Sequence, residues 1–170
     1  LKTDMQMIKK AGMNLIRIAE STWSTWEPKE GVFDFTHLHR VLEASKEAGI
    51  DVIVGTPTYA IPSWLANKYP DILCLTHHGQ ELYGRRQNMD ITHPGFLEHA
   101  ERIIRKLMEE VSKYPHVIGF QVDNETKHYD TCGPRVQKMF VEYLQKLYPD
   151  INDFNLEFGL NYWSNRVQDW

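Results

Sequence analysis

At 170 residues, with a formal net charge of −4 and 42% hydrophobic residues, the chain has the composition of an ordinary globular domain with enough apolar material for one core. Its basic residues are interleaved with acids, as between Arg102 and Glu110, which argues against a phosphate-tracking stripe and hence against nucleic acid as a partner. No apolar run approaches the roughly 18 residues of a membrane span, no basic-then-apolar leader opens the chain, and Cys74 and Cys132 are too few for a disulfide framework, so a soluble protein of a reducing, cytoplasmic compartment is expected.

The first predicted element is a helix from Thr3, with Thr3 as its cap and Gly12 as its end, followed by a strand over Asn14–Ala19. Leu1 is not an initiator methionine and the chain opens inside helical pattern, so a piece of a longer protein is expected. Thr36 caps a second helix in which Leu38, Val41, Leu42, Ser45 and Ala48 recur at helical spacing, and Gly49 ends it before the strand Asp51–Gly55. Pro94 suits a first helical position, and Leu97, Ala100, Ile104, Leu107 and Val111 mark an apolar face. A third strand, Val117–Val122, follows. Gly133-Pro134 then opens a helix whose Val136, Met139, Phe140, Tyr143, Leu144 and Leu147 are expected to face a core, with Tyr148-Pro149 as its end.

Strands buried on both faces and separated by amphipathic helices imply parallel βα units in one domain over residues 1–170, because a parallel pair needs a crossover that covers the sheet. Neither a Gly-x-Gly-x-x-Gly nor a Gly-x-x-x-x-Gly-Lys-Ser/Thr sequence follows any strand, which removes the usual reason to choose a doubly wound nucleotide-binding sheet. A complete barrel takes about 250 residues. Three strands in 170 residues therefore make roughly half of one, an α/β fold that is a partial (β/α)8 TIM barrel.

In such a barrel the chemistry sits at the carboxyl ends of strands. The third strand closes on Val122-Asp123-Asn124-Glu125, which puts an amide and a carboxylate at that rim. The loops after the first two strands are long and rich in Trp, Tyr, Pro, Glu and Arg, a composition that suits sugar recognition, with aromatic faces for C–H surfaces and polar groups for hydroxyls. Trp23, Trp26 and Trp64 fit either as sugar platforms or as loop packing. Arg17, on the first strand, is read as interior and in need of a carboxylate. The histidines, His77, His78, His93 and His99 among them, show no metal-ligand spacing and are expected at the surface or at helix ends.

Four blocks in order, Arg17–Phe35, Gly55–Leu65, Gly119–Glu125 and Phe158–Ser164, closely resemble the β-galactosidases of glycoside hydrolase family 42. The resemblance implies a retaining hydrolase in which Glu125 is the general acid/base, Asn124 binds the sugar 2-hydroxyl, and Arg86 and Trp163 line the galactose pocket. The family's nucleophile is a second Glu from a later strand, without counterpart here, so the isolated segment is expected to be inactive; the barrel's first strand is missing as well. Arg17 is then assigned to orient that nucleophile, with a structural Asp as the alternative partner. Some members hold a zinc in a cysteine cluster that Cys74 and Cys132 do not reproduce, so no metal and no cofactor is assigned to this chain. The implied partner is a galactoside or oligosaccharide substrate, and a homotrimeric parent is what the resemblance suggests, as family members often form trimers. Other readings remain open: a β-glucosidase or endo-glycanase of the same clan, a non-catalytic carbohydrate-binding remnant, or an inverting scheme pairing Glu125 with Asp123 or Glu20.

Overall fold

The computed structural model describes residues 1–125 and 130–170. Helix α1 (Lys2–Lys10) leads into strand β1 (Leu15–Ile18), a short α2 (Trp23–Trp26), then α3 (Thr36–Glu47) and β2 (Asp51–Gly55). After β2 come α4 (Ser63–Lys68), a small hairpin of β3 (Leu75–Thr76) and β4 (Gly79–Gln80), and α5 (Pro94–Val111). Strand β5 (Val117–Gln121), α6 (Pro134–Leu147) and α7 (Ile151–Glu157) complete the chain. The principal sheet is parallel, in the order β1-β2-β5, with Ile16 opposite Val52 and Val54 opposite Phe120. Each new strand is added on the same side as the last. A barrel requires this progression, whereas a doubly wound sheet reverses direction part-way.

The helix starts obey local chemistry. His93 caps α5 by accepting the Gly95 N–H through Nδ1, with Pro94 at the first helical position, where its missing N–H costs nothing. Gly12 and Gly49 stand just past the ends of α1 and α3 with φ of 82° and 62°, the left-handed conformation that glycine adopts without steric penalty. Thr3 and Thr36 are not the caps expected of them. α1 starts after Leu1 and α3 after Phe35, and the Thr36 N–H is instead bonded by the Asp34 carboxylate at 2.9 Å.

One face of the sheet, carrying Ile16, Ile18, Val52 and Val54, packs against Leu38 and Leu42 of α3 and Ile103 and Leu107 of α5 to form the main core. The expectation that all three strands are buried on both faces fails for β1 and β5, where Leu15, Arg17, Ile118 and Phe120 are exposed. Helices cover the outer side of the sheet, and the described residues supply no layer for the other. The α5 face holds at Ala100, Leu107 and Val111 and differs at the other two expected positions. Phe96, His99, Ala100, Ile103, Leu107 and Val111 are buried, while Leu97 is exposed and Ile104 half-buried. In α6 only Leu144 is buried, and Met139, Phe140, Tyr143 and Leu147 of the expected core face lie exposed, because no described element packs over them.

The long loop after β1 is folded around a buried charge. Glu27 is wholly buried, accepts the Trp23 indole N–H at 3.0 Å and the Gly31 N–H at 2.8 Å, and pairs with Arg102 of α5. The Arg102 guanidinium lies 5.8 Å from the Trp64 ring centre and 5.9 Å from that of Phe33. Trp64 Nε1 in turn donates to the Glu27 carbonyl. Trp23 and Trp26 are therefore packing residues; neither is open to a sugar. His93 stands at a helix end as expected, buried in its capping role, whereas His99 departs from the expectation and is buried between the rings of Trp64 and Tyr69.

Candidate active site

Parallel strands bring the carboxyl ends of β1, β2 and β5 to one rim. The two later strands are stitched together there: Thr56 donates its N–H to the Gln121 carbonyl and its hydroxyl to that of Val122, both at 2.9 Å. Beyond that stitch β5 loses its partner and the chain turns at Glu125, whose φ of 47° is left-handed. A non-glycine residue adopts this conformation at a cost, and such residues cluster at functional sites.

The turn aims Glu125 into a cluster. Its Oε2 accepts from Arg86 Nη2 at 2.8 Å and from the Tyr59 hydroxyl at 3.3 Å. The Arg86 guanidinium stands over the Tyr59 ring, 5.3 Å from its centre. Asn124 is half-buried, and its Oδ1 accepts from Gln121 Nε2 at 2.9 Å, which orients the amide so that its NH2 is left to donate elsewhere. Gln87, buried and next to Arg86, donates its amide N–H to the carbonyls of Asn124 and Glu125. A cavity of about 710 Å³ adjoins Tyr59 and Gln87 of this cluster and is walled further by Met89, Phe96, Val122 and Asp123, while Glu125, Asn124 and Arg86 do not line it. That volume lies in the range of small-molecule sites.

Three residues singled out in the sequence, Asn124, Glu125 and Arg86, thus meet. Trp163 does not join them through any contact described; it is 84% exposed, has φ of 56°, and its ring meets Tyr162 edge-on at 5.5 Å. Arg17 lies on the face of the sheet that the helices leave uncovered, the inner face of the arc; it is half exposed in this chain and finds its carboxylate in Glu20. Glu20 itself folds across the end of β2, close enough that a Cβ on Gly55 would come within 2.7 Å of its Cγ. Tyr59 and Gln87 were missed. Both lie in the loop after β2, whose length and polarity were the only signals available for them.

Comparison with known proteins decides the family. The model of the β-galactosidases of glycoside hydrolase family 42 matches residues 1–170. This chain belongs to that family. Among its relatives, the β-galactosidase bgaB of Geobacillus kaustophilus is 32% identical over 98% of this chain, and the β-galactosidase BglY of Alicyclobacillus acidocaldarius is 33% identical over 100% of it. The chain spans 25% of the length of each. A catalytic mutant of the family 42 β-galactosidase Gan42B from G. stearothermophilus superposes with a TM-score of 0.91 at 30% identity, over 99% of this chain and 25% of that one. The cold-adapted β-galactosidase from Rahnella sp. R3 likewise superposes, with a TM-score of 0.92 at 29% identity over 98% of this chain and 25% of its own. The parallel arc β1-β2-β5 is accordingly part of a family 42 TIM barrel.

Proposed function

We propose that this chain is the amino-terminal portion of the catalytic barrel of a retaining β-galactosidase, with Glu125 as general acid/base. The observation that carries this reading is the Glu125 carboxyl at the carboxyl end of β5, gripped by Arg86 and Tyr59. Retaining hydrolysis divides its work between two carboxyl groups roughly 5 Å apart: one protonates the departing glycosidic oxygen, and the other attacks the anomeric carbon to form a glycosyl-enzyme. Glu125 performs the first task, then takes a proton from the water that releases the sugar. The second carboxylate comes from a residue outside this chain. Asn124, with its carbonyl held by Gln121, presents its NH2 to the sugar 2-hydroxyl, a contact that tightens as the oxocarbenium-like transition state forms. Arg86 and Trp163 line the galactose pocket, and Arg17 orients the nucleophile through the Glu20 rim.

In the complete enzyme, Glu125→Gln should lower kcat/KM on a β-galactosyl disaccharide by on the order of 10²–10⁴-fold, the usual contribution of a general acid. Added azide should restore turnover of an activated aryl β-galactoside and yield a β-galactosyl azide. Unchanged rates would remove Glu125 from the role. The 170-residue chain alone should not turn over a chromogenic β-galactoside; substantial turnover would place the nucleophile within it. A panel of β-galactosides and β-glucosides tests the galactose assignment, and preference for glucosides would overturn it.

A further inference from the structure

Gln87 lies outside the groups given a role above, yet it touches the backbone of two of them. Its side chain is buried, 5% exposed, and one amide nitrogen, Nε2, donates to the carbonyl of Asn124 at 2.7 Å and to that of Glu125 at 3.2 Å. Successive carbonyls of an extended strand point to opposite sides, so a single donor cannot serve both. They converge here because the dihedral angles of Glu125 set the angle between them, and Glu125 is left-handed. The forked bond therefore forms with Glu125 in its turned conformation and is lost if that residue relaxes to extended backbone.

The same residue is fixed to the other two members of the cluster. Its main-chain N–H donates to the Tyr59 carbonyl at 3.0 Å, and it directly follows Arg86 in the chain. Gln87 itself has φ of 54°, so two left-handed residues face each other across this contact. Relaxation of Glu125 would swing its Cα–Cβ bond and carry Oε2 away from Arg86 Nη2 and the Tyr59 hydroxyl.

We propose that Gln87 is a positioning residue for the acid/base: its side-chain amide clamps the carbonyls of Asn124 and Glu125 and holds the Glu125 carboxyl at the point of proton transfer. The proposal rests on the reading of Glu125 as general acid. A misplaced acid matters most when the departing oxygen is a poor leaving group that needs its proton, and least when the leaving group departs unaided. Displacement of a catalytic group by about 1 Å costs on the order of 10²-fold in rate.

The test is made in the complete enzyme with Gln87→Met, which keeps length and bulk but removes the donor, and with Gln87→Glu, which keeps the shape and puts oxygen against the two carbonyls. For each, kcat/KM is measured on a β-galactosyl disaccharide and on 2,4-dinitrophenyl β-galactoside. The disaccharide should lose on the order of 10²-fold and the dinitrophenyl substrate less than about 3-fold. The ratio of the two losses is independent of the fraction of enzyme folded, so partial unfolding cannot imitate it. Equal losses on both substrates, or no loss, would overturn the clamp. Glu125→Gln is run alongside. Should it lack the same leaving-group selectivity, the acid assignment falls and takes the clamp with it; should it show the selectivity while both Gln87 variants do not, only the clamp falls.

Discussion

Glu27 shows how a single buried charge organises a loop. Its partners are Arg102, the Trp23 indole and the Gly31 N–H, and removing the guanidinium would leave the carboxylate without a counter-ion in a dry site. Breaking such a pair typically costs about 3–5 kcal/mol. Arg102→Met should therefore lower unfolding stability by roughly that amount in chemical denaturation, while Arg105→Met, which breaks only the exposed pair with Glu101, should change it by less than about 1 kcal/mol. His99 makes a second residue-level prediction. Burial, with Arg102 and Lys68 nearby, holds its imidazole below the ordinary value of 6.5. The unfolded chain then takes up a proton that the folded state refuses as pH falls below that value, so this contribution is complete above it and declines toward the lower folded value. His99→Phe keeps the ring between Trp64 and Tyr69 and should flatten the fall in Tm between pH 7 and pH 5; an unchanged slope would exclude His99 as its source. At this scale the sequence exposes Asn124 and Glu125, because polar residues ending an apolar strand are conspicuous. It does not separate Arg86 from Arg85 without the family pattern, since only the fold turns the first onto Glu125 and leaves the second beside Glu81 on the surface. Tyr59 and Gln87 carry no local mark of their task, which depends on where β5 ends.

Among the elements, α5 shows how a helix face can be read correctly at Ala100, Leu107 and Val111 and yet miss at two positions. Its existence and first residue follow from Pro94 and the apolar spacing, yet Leu97 and Ile104 give almost the same period as Phe96 and Ile103, offset by one residue, about 100° around the axis. The ambiguity is resolved by packing: His99, polar by composition, is part of the buried stripe. Ile103→Ala should cost about 2–5 kcal/mol, whereas Leu97→Ala, on the exposed side, should fall within about 0.5 kcal/mol. Gly95 in the first turn of α5 has a different constraint. A Cβ there would come within 2.6–2.9 Å of three ring carbons of Tyr69. Despite the better helix propensity of alanine, Gly95→Ala should destabilise by about 1–3 kcal/mol, because the Tyr69 ring is itself packed against His93 and His99. A stabilised Gly95→Ala variant in thermal unfolding would show that the ring can move aside.

For the molecule as a whole, alternation of strand and helix in the sequence suffices to give a parallel βα arc, and the observed order β1-β2-β5 agrees with it. The β3–β4 hairpin and α7 are absent from the sequence reading because two-residue strands and short helices leave no periodic signal. The bare faces of β5 and α6 were also not foreseen, since periodicity marks an apolar stripe without saying whether anything covers it. With Ile118, Phe120, Met139, Phe140, Tyr143 and Leu147 exposed, the isolated chain presents many large apolar side chains to water, the kind of surface that drives association. Size-exclusion chromatography with light scattering should find it associating as concentration rises, and Phe140→Lys with Tyr143→Glu should suppress this; a monodisperse wild-type monomer at all concentrations would contradict the expectation. Trp163 gives the fold an optical handle. Of the five indoles, Trp23 and Trp26 are sealed, Trp64 and Trp170 are less open, and Trp163 stands almost fully in water, so acrylamide should quench its fluorescence first. Whatever comes to rest on it, a hexose or another polypeptide surface, would announce itself as a blue-shifted and newly protected component of the emission.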